Sequence, residues 1–442
     1  MDSFLANYKK NETRVEDVKP KSKKRKIIET KQPTIKLPKL SEDFFIDANK
    51  VETGGKKKRK RAPAKFTKNE EIDHSEIIDP LMISHQDAIH IPTYVEFKKI
   101  QQSLSNLHKN PKINDKLLLK AESREAEFLV RDKIRKEIEF LLKMELGIEE
   151  IEIKLFGSSE SKLFLLESDM DLNLYVPGNR IPNCLEKVRK IILKYFSTDK
   201  LKVFLKDEAR VPVLEIKNLE ILQLSSKAFD IDLVHSCGSD EKYTHNLNIS
   251  KWTERHLNSE NAKKYRLFDI CLLIKSWSKK NQINSPIAES LPSLGYLVMI
   301  FSTFEYILHH CFSSDAYFPF EVPHLKKLAD FLKQLSEKQK EKILPAAFLF
   351  AFFLRFAFWD DSVSVKTLDS IGSFSIFHLQ SVASDPRCQG FGTSAYVQDP
   401  FLVDINLARF VTIFSFPTIC DKFKNALASF SDVQSLDELF SP

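Results

Sequence analysis

Two aspartates, Asp169 and Asp171, open an alternating run, Met170 to Val176, in which Met170, Leu172, Leu174 and Val176 share one face. Alternation predicts a half-buried strand, and residues two apart in a strand project to the same side. Both carboxylates therefore leave the strand together, opposite its apolar residues. A second alternating run, Ile151 to Phe156, comes before them and ends in Gly157-Ser158, the serine eleven residues short of Asp169. Two carboxylates fixed on one strand and faced by a Gly-Ser turn can hold two divalent cations over a triphosphate. A lone Asp-x-Asp is usually a pair of solvated acids at a strand end; the turn at this spacing favours a site.

The remaining sequence narrows the alternatives. With 442 residues the chain can build two or three domains and a sizeable core. No apolar run reaches the length of a membrane span, and the richest, Ala346 to Trp359, is interrupted by Arg355. The N-terminus has charges but no apolar signal segment. Cys184, Cys237, Cys271, Cys311, Cys388 and Cys420 form no C-x-x-C and have no histidine at zinc spacing, so reduced thiols are expected and not a metal site. Residues 1–70 hold 21 Lys+Arg against 10 Asp+Glu, and the other residues 46 against 51. The basic excess thus lies in the tail, in clusters at 19–26 and 56–61. Few periodic apolar residues accompany it, which predicts a disordered basic tail over 1–80. Such clusters fit nuclear import and attraction to phosphate, with the chain in the nucleus, the cytoplasm or both.

Helical spacing marks Pro92 to Leu107, through Tyr94, Phe97, Ile100 and Leu104, and Ser123 to Met144, through Val130, Ile134, Ile138 and Leu141. Asn183 to Phe196 is amphipathic, and Leu201–Leu205 and Val211–Ile216 read as strands, with Pro212 placing the second start at an edge or bulge. Ala228-Phe-Asp-Ile-Asp-Leu-Val234 is a further strand whose Asp230 and Asp232 face the same side, so alternation cannot choose between them.

The stretch Phe156 to Tyr175, with Gly157-Ser158 and Ser168-Asp169-Met170-Asp171-Leu172, resembles the catalytic motif of DNA polymerase β-like nucleotidyltransferases. It is most similar to the branch of noncanonical poly(A) polymerases and terminal uridylyltransferases. Many members carry a small residue or glycine where this chain has Lys162. The resemblance implies a third carboxylate on a neighbouring strand, as metal ligand and base for the RNA 3′-hydroxyl. The apolar residues Phe229 and Ile231 before it match the family's pattern for Asp232 better than for Asp230.

The resemblance extends to the nucleotide pocket. His245-Asn246 is similar to a His-Asn pair whose asparagine contacts the ribose. Arg266 to Ile283 resembles the family's central helix, on which Lys275 and Lys279, four apart and with Trp277 between them, would hold the β- and γ-phosphates. Leu291-Pro-Ser-Leu-Gly-Tyr296 stands where the family has a turn with a phosphate-contacting serine, here Ser293, and a base-stacking tyrosine, here Leu294. Phe348 to Phe358 matches an aromatic helix expected to be core. Tyr396-Val-Gln-Asp-Pro-Phe401, with Asn406 to Arg409, matches the nucleotide-recognition loop, which implies nucleotide contacts for Asp399 and Asn406. Uridine-selective relatives have a histidine at the position of Ile405 and an acid at that of Gln398.

The resulting expectation is an α+β fold. It comprises a disordered basic tail (1–80), an N-terminal helix packing on the central domain (81–115), a nucleotidyltransferase domain with a mixed β-sheet (116–250) and a helical domain with the poly(A) polymerase-associated region (251–442). The resemblance implies transfer of a nucleoside monophosphate from an NTP to an RNA 3′ end, with two Mg2+ or Mn2+ ions held by Asp169, Asp171 and Asp232. Members add A, U or mixed U and G, and the altered pocket fits relaxed base choice. Without an RNA-recognition fold or zinc knuckle in the sequence, a protein partner is expected to deliver the RNA; no membrane association is expected. Retention of all three acids, Ser158 and both lysines speaks against a silent scaffold.

Overall fold

The computed structural model describes residues 89–177, 181, 183–196, 198–207, 211–221, 225, 227–237, 241–312, 323–359, 364–365, 367, 395–402, 405–431 and 433–440. The tail expected over 1–80 lies outside them. The first helices are α1 (Tyr94–Leu107), α2 (Pro111–Leu117) and α3 (Ala121–Leu146). Thr93 and Glu96 form a capping box that starts α1, and Gly147 ends α3 at φ 66°. Asn110 caps α2, and Pro111 supplies its first turn.

Five strands follow: β1 (Glu152–Leu155), β2 (Met170–Val176), β3 (Lys202–Lys206), β4 (Val213–Leu219) and β5 (Phe229–Cys237), with a one-turn helix α4 (Gly157–Glu160) after β1 and α5 (Cys184–Tyr195) after β2. Their order in the sheet is β1-β2-β5-β4-β3. The β2/β5 pairing is parallel and the others antiparallel, giving the expected mixed sheet. Met170, Leu172, Leu174, Ile231 and Leu233 are fully buried and join Ile134 and Ile138 of α3 and Val188 and Ile192 of α5 in one apolar core. Since that core covers one face of the sheet, alternation directs the aspartates to the other.

The rest is helical: α6 (Glu241–Asn258), α7 (Glu260–Lys264), α8 (Leu267–Lys280), α9 (Ser293–Phe312), α10 (Pro323–Lys333), α11 (Glu337–Ala357), α12 (Ser415–Ala428) and α13 (Val433–Phe440). Two short strands, β6 (Ser364–Val365) and β7 (Tyr396–Val397), pair in parallel. From Ile343 to Ala357, α11 is buried on every side, the signature of a central helix. Pro345 interrupts its hydrogen bonds, and the Ala346 amide instead lies 3.1 Å from Gln101 Oε1 of α1. Phe97 of α1 meets Phe350 edge to face at 5.6 Å. Arg355, which breaks the apolar run in the sequence, donates to the hydroxyls of Ser302 and Thr303 on α9. Its burial pushes the guanidinium down to about 10.

A second apolar core gathers these helices together with α1, α2 and the loop residues Leu163 and Leu165. The boundary expected at 250/251 falls inside α6, whose polar first turns gave no apolar stripe to find. Among the described residues no helix is long and apolar enough to cross a membrane.

Candidate active site

The site is assembled from the turn upward. Gly157 has φ 58°, and a Cβ there would stand 3.2 Å from Asp171 Oδ2, so the position needs glycine twice over. The Phe156 amide donates to the Asp171 carbonyl at 3.1 Å, and the Asp171 amide donates to Ser159 Oγ at 3.1 Å. Buried Ser159 thus fastens the turn to β2, while Ser158 lines a cavity. Lys162, where relatives have a small residue or glycine, adopts φ 58°. A non-glycine residue accepts that conformation at roughly 1 kcal/mol. Its ammonium group reaches Glu125 at 2.5 Å and sits over the Phe128 ring at 4.3 Å, which offsets part of the strain.

Register brings the acids together. Asp171 is directly opposite Asp232 across the parallel β2/β5 pair, and Asp169, just before β2 begins, is near enough to repel both. Burial, with Asp232 and Asp169 adding repulsion, raises the Asp171 carboxyl to about 6, although Lys275 pulls the other way. Burial also raises Asp232, whose Oδ1 is enclosed and finds no hydrogen-bond partner in the protein. Asp230 is occupied differently: Oδ1 accepts the Asn218 amide at 2.9 Å, and Oδ2 lies 3.4 Å from Lys217 Nζ. Asp169, its side chain 47% exposed, leans toward the same lysine at 3.8 Å. Among the described residues no three Asp, Glu, His or Cys side chains are gathered closely enough to share an ion. Register thus aligns Asp171 with Asp232, while Asp169 leans toward Lys217.

Across from the acids, α8 presents Lys275. Its ammonium group donates to the Leu163 carbonyl at 2.8 Å, and burial beside Lys279 pushes it down to about 7. Lys279 is exposed one turn further on. Trp277, between them in sequence, points away into the core, against Phe353 at 4.8 Å and Phe423 at 4.9 Å. A cavity of about 100 Å³ between sheet and helices is lined by Gly157, Ser158, Lys275, Ser293 and Leu294. Ser293 Oγ donates to Asn284, which also lines it.

Three expected nucleotide contacts look different. Asn246 lies on α6 but is not in the cavity wall, to which that helix contributes Ile249, Ser250 and Thr253. Asp399 is buried, with Oδ1 accepting the amides of Phe401 and Leu402 and Oδ2 3.1 Å from His245 Nε2. Asn406 is also buried: Oδ1 accepts the Val397 and Ala408 amides, and Nδ2 donates to the Ala395 carbonyl. Asp399 and Asn406 thus shape the recognition loop with the atoms expected to read the nucleotide. Gln398, by contrast, is buried with both amide atoms unpaired within the protein.

Two cations escaped the sequence reading. Fully buried Arg131 of α3 donates to the Ser168 and Asp169 carbonyls at 2.8 and 3.2 Å, pairs with Glu127 at 3.2 Å and stacks on Phe164 at 4.3 Å. It holds the first residue of the acidic row by the backbone. The polar gap it leaves in an otherwise apolar helix stripe was the available signal. Lys217 follows Glu215 two residues on in β4, and nothing in the sequence set it apart.

Acids on the open face of a five-stranded mixed sheet, a Gly-Ser turn and a lysine helix across a cleft make a palm-like arrangement. Residues 112–236 match the family model described as the central palm domain of mitochondrial-like poly(A) RNA polymerase. Terminal uridylyltransferase cid1 of Schizosaccharomyces pombe is 29% identical over 163 residues, which are 36% of this chain and 35% of that protein. The match therefore spans about a third of the relative's length. The fold is similar to that of the Cid1 poly(U) polymerase. A structure of Cid1 with its short product ApU superposes at TM-score 0.53 with 20% identity, covering 78% of this chain and 98% of that one. A Cid1 mutant bound to MgATP gives 0.51 with 19% identity, covering 71% and 93%. Over its palm region the chain is thus similar to noncanonical poly(A) polymerases and terminal uridylyltransferases.

Proposed function

We propose that the chain is a template-independent RNA 3′-terminal nucleotidyltransferase, moving a nucleoside monophosphate from an NTP to an RNA 3′-hydroxyl and releasing pyrophosphate. The observation that carries this reading is the register of Asp171 against Asp232, with the Gly157-Ser158 turn on the same face and Lys275 across the cavity. Asp169, Asp171 and Asp232 suit hard divalent cations: they offer only oxygen donors, two of them repel within a buried setting, and Asp232 Oδ1 has no other partner. Mg2+ or Mn2+ held there would supply charge neutralisation at the triphosphate and activation of the attacking hydroxyl.

The chain's own residues do the rest. Ser158 and Ser293 present hydroxyls, and Lys275 an ammonium group, to a triphosphate in the cavity. Lys279, exposed one turn away, extends that charge toward the cleft mouth. Asp232, raised by burial, would accept the proton of the RNA hydroxyl. Leu294 covers the base, with less stacking than an aromatic ring gives.

Base choice follows from what remains to read it. A pocket discriminates strongly only where the wrong ligand would leave its polar groups unpaired. Ile405 offers no side-chain hydrogen bond, Asp399 and Asn406 are occupied by the loop, and Gln398, with both amide atoms unpaired, can donate to or accept from any base. We expect relaxed or mixed tails on a defined oligonucleotide supplied with all four NTPs at equal concentration, read by sequencing. Ile405→His should shift incorporation toward uridine by up to the strength of one charge-assisted hydrogen bond, roughly 1.5–3 kcal/mol. Pure poly(U) from the wild type would overturn the base-choice reading, and absence of any addition would overturn the enzymatic one.

A further inference from the structure

We propose that Lys217 is a tethered counter-cation of the acidic row, competing for Asp169 with the more weakly held of two divalent ions. The inference rests on the reading of Asp169, Asp171 and Asp232 as cation ligands. It starts from an irregularity in the sheet. β4 and β5 pair regularly from Val213 opposite Val234 to Ile216 opposite Ile231, and pairing resumes at Leu219 opposite Phe229. Between those points Lys217 and Asn218 face the single residue Asp230, which makes a β-bulge. Bulges bend a strand and re-aim a side chain, and they recur beside active sites.

The bulge is built with some strain. Asn218 has φ 59°, a left-handed conformation that asparagine tolerates better than most residues. Its amide donates to Asp230 Oδ1 at 2.9 Å, while Asp230 Oδ2 lies 3.4 Å from Lys217 Nζ. One carboxylate therefore secures both the bulge and the lysine it redirects. On the other side Lys217 reaches Asp169 Oδ2 at 3.8 Å, two strands away. An ordinary exposed ion pair would deserve little weight. Here the lysine is largely covered, 27% exposed, and is delivered by a strained bulge to an acid of the catalytic row.

The arrangement also gives Asp230 a role. It stands on the same face as Asp232 but acts as a positioning residue, holding Lys217 instead of an ion. The unit charge of Lys217 lies a few ångströms from where a cation bound to Asp169 would sit, so each opposes the other. Without Lys217 the row would bind a second divalent ion more readily; with it, that ion is held weakly until a triphosphate adds its own charge.

The test uses the full chain, stripped of metal and free of nucleotide, titrated with Mn2+ while the electron paramagnetic resonance of the free ion is followed. Lys217→Gln should tighten the weaker Mn2+ binding by tenfold or more, and Lys217→Arg, which keeps the charge, should stay near wild type. Identical isotherms for wild type and Lys217→Gln would overturn the proposal. Equal tightening in both variants would also overturn it, since shape and not charge would then be responsible. Asp171→Asn separates the two layers: if it binds Mn2+ as the wild type does, the cation-ligand reading fails, whatever Lys217 does.

Discussion

Asp171→Asn is expected to abolish nucleotide addition while making the cation-free protein more stable. The loss of activity should be on the order of a thousandfold or more, because charge stabilisation by held cations is worth several kcal/mol in the transition state. The gain in stability has a separate origin. Asp171 is raised to about 6 from an ordinary 3.8 by burial and by its acidic neighbours. Between roughly pH 4 and 6 the folded chain keeps a proton that the unfolded chain has released. Stability contributed by this residue is therefore present at low pH, falls as pH rises through that window and stays lowered above it. Two pKa units correspond to about 3 kcal/mol, of which asparagine should recover on the order of 1–2, since the amide is still buried. Urea unfolding in chelator at pH 7.5 should show the variant more stable, with the curves converging below pH 4. A variant that keeps its tailing activity, or is destabilised at pH 7.5, would contradict the role assigned to the carboxylate.

Lys275→Met should weaken NTP binding by about a hundredfold, the scale of losing a buried charge-assisted contact. Wild type and variant should also differ in proton uptake. Lys275 is pushed to about 7 by burial and by Lys279, so a substantial fraction is neutral near pH 8. A triphosphate restores the charged form, and binding then takes up close to one proton at pH 8 and little at pH 6. Titration calorimetry in two buffers of different ionisation enthalpy reads this directly. Equal apparent enthalpies for the wild type at pH 8 would sink the assignment.

How far the site was legible depended on whether a residue's role follows from local pattern. Strand alternation predicts Asp169 and Asp171 on one face; in the structure β2 begins at Met170, and Asp171 takes its place opposite Asp232. Alternation could not separate Asp230 from Asp232, because the difference lies in register: β5 pairs Asp232 with Asp171 and leaves Asp230 to the bulge of β4. Trp277 lies between the two lysines in sequence, yet helical geometry turns it into the core. Helix α6 shows no apolar stripe at its start because its buried residues, such as Trp252, follow polar first turns. Asp399 and Asn406 matched a motif in type, but whether a buried side chain serves a ligand or its own loop depends on backbone atoms that a motif does not contain. Arg131 and Lys217 act over contacts distant in sequence, which no local pattern records.

The sheet order bears on how such a chain reaches its active form. Most neighbouring strands join by antiparallel pairings between segments close in sequence, the kind of contact that closes early. Asp171 and Asp232 face each other across the parallel β2/β5 seam, whose partners are about sixty residues apart. Loop-closure entropy makes that seam a slow contact, and two repelling carboxylates make it a reluctant one. Chemical competence is thus tied to a late-forming junction of the palm, so a partly folded chain would not yet bring these acids together.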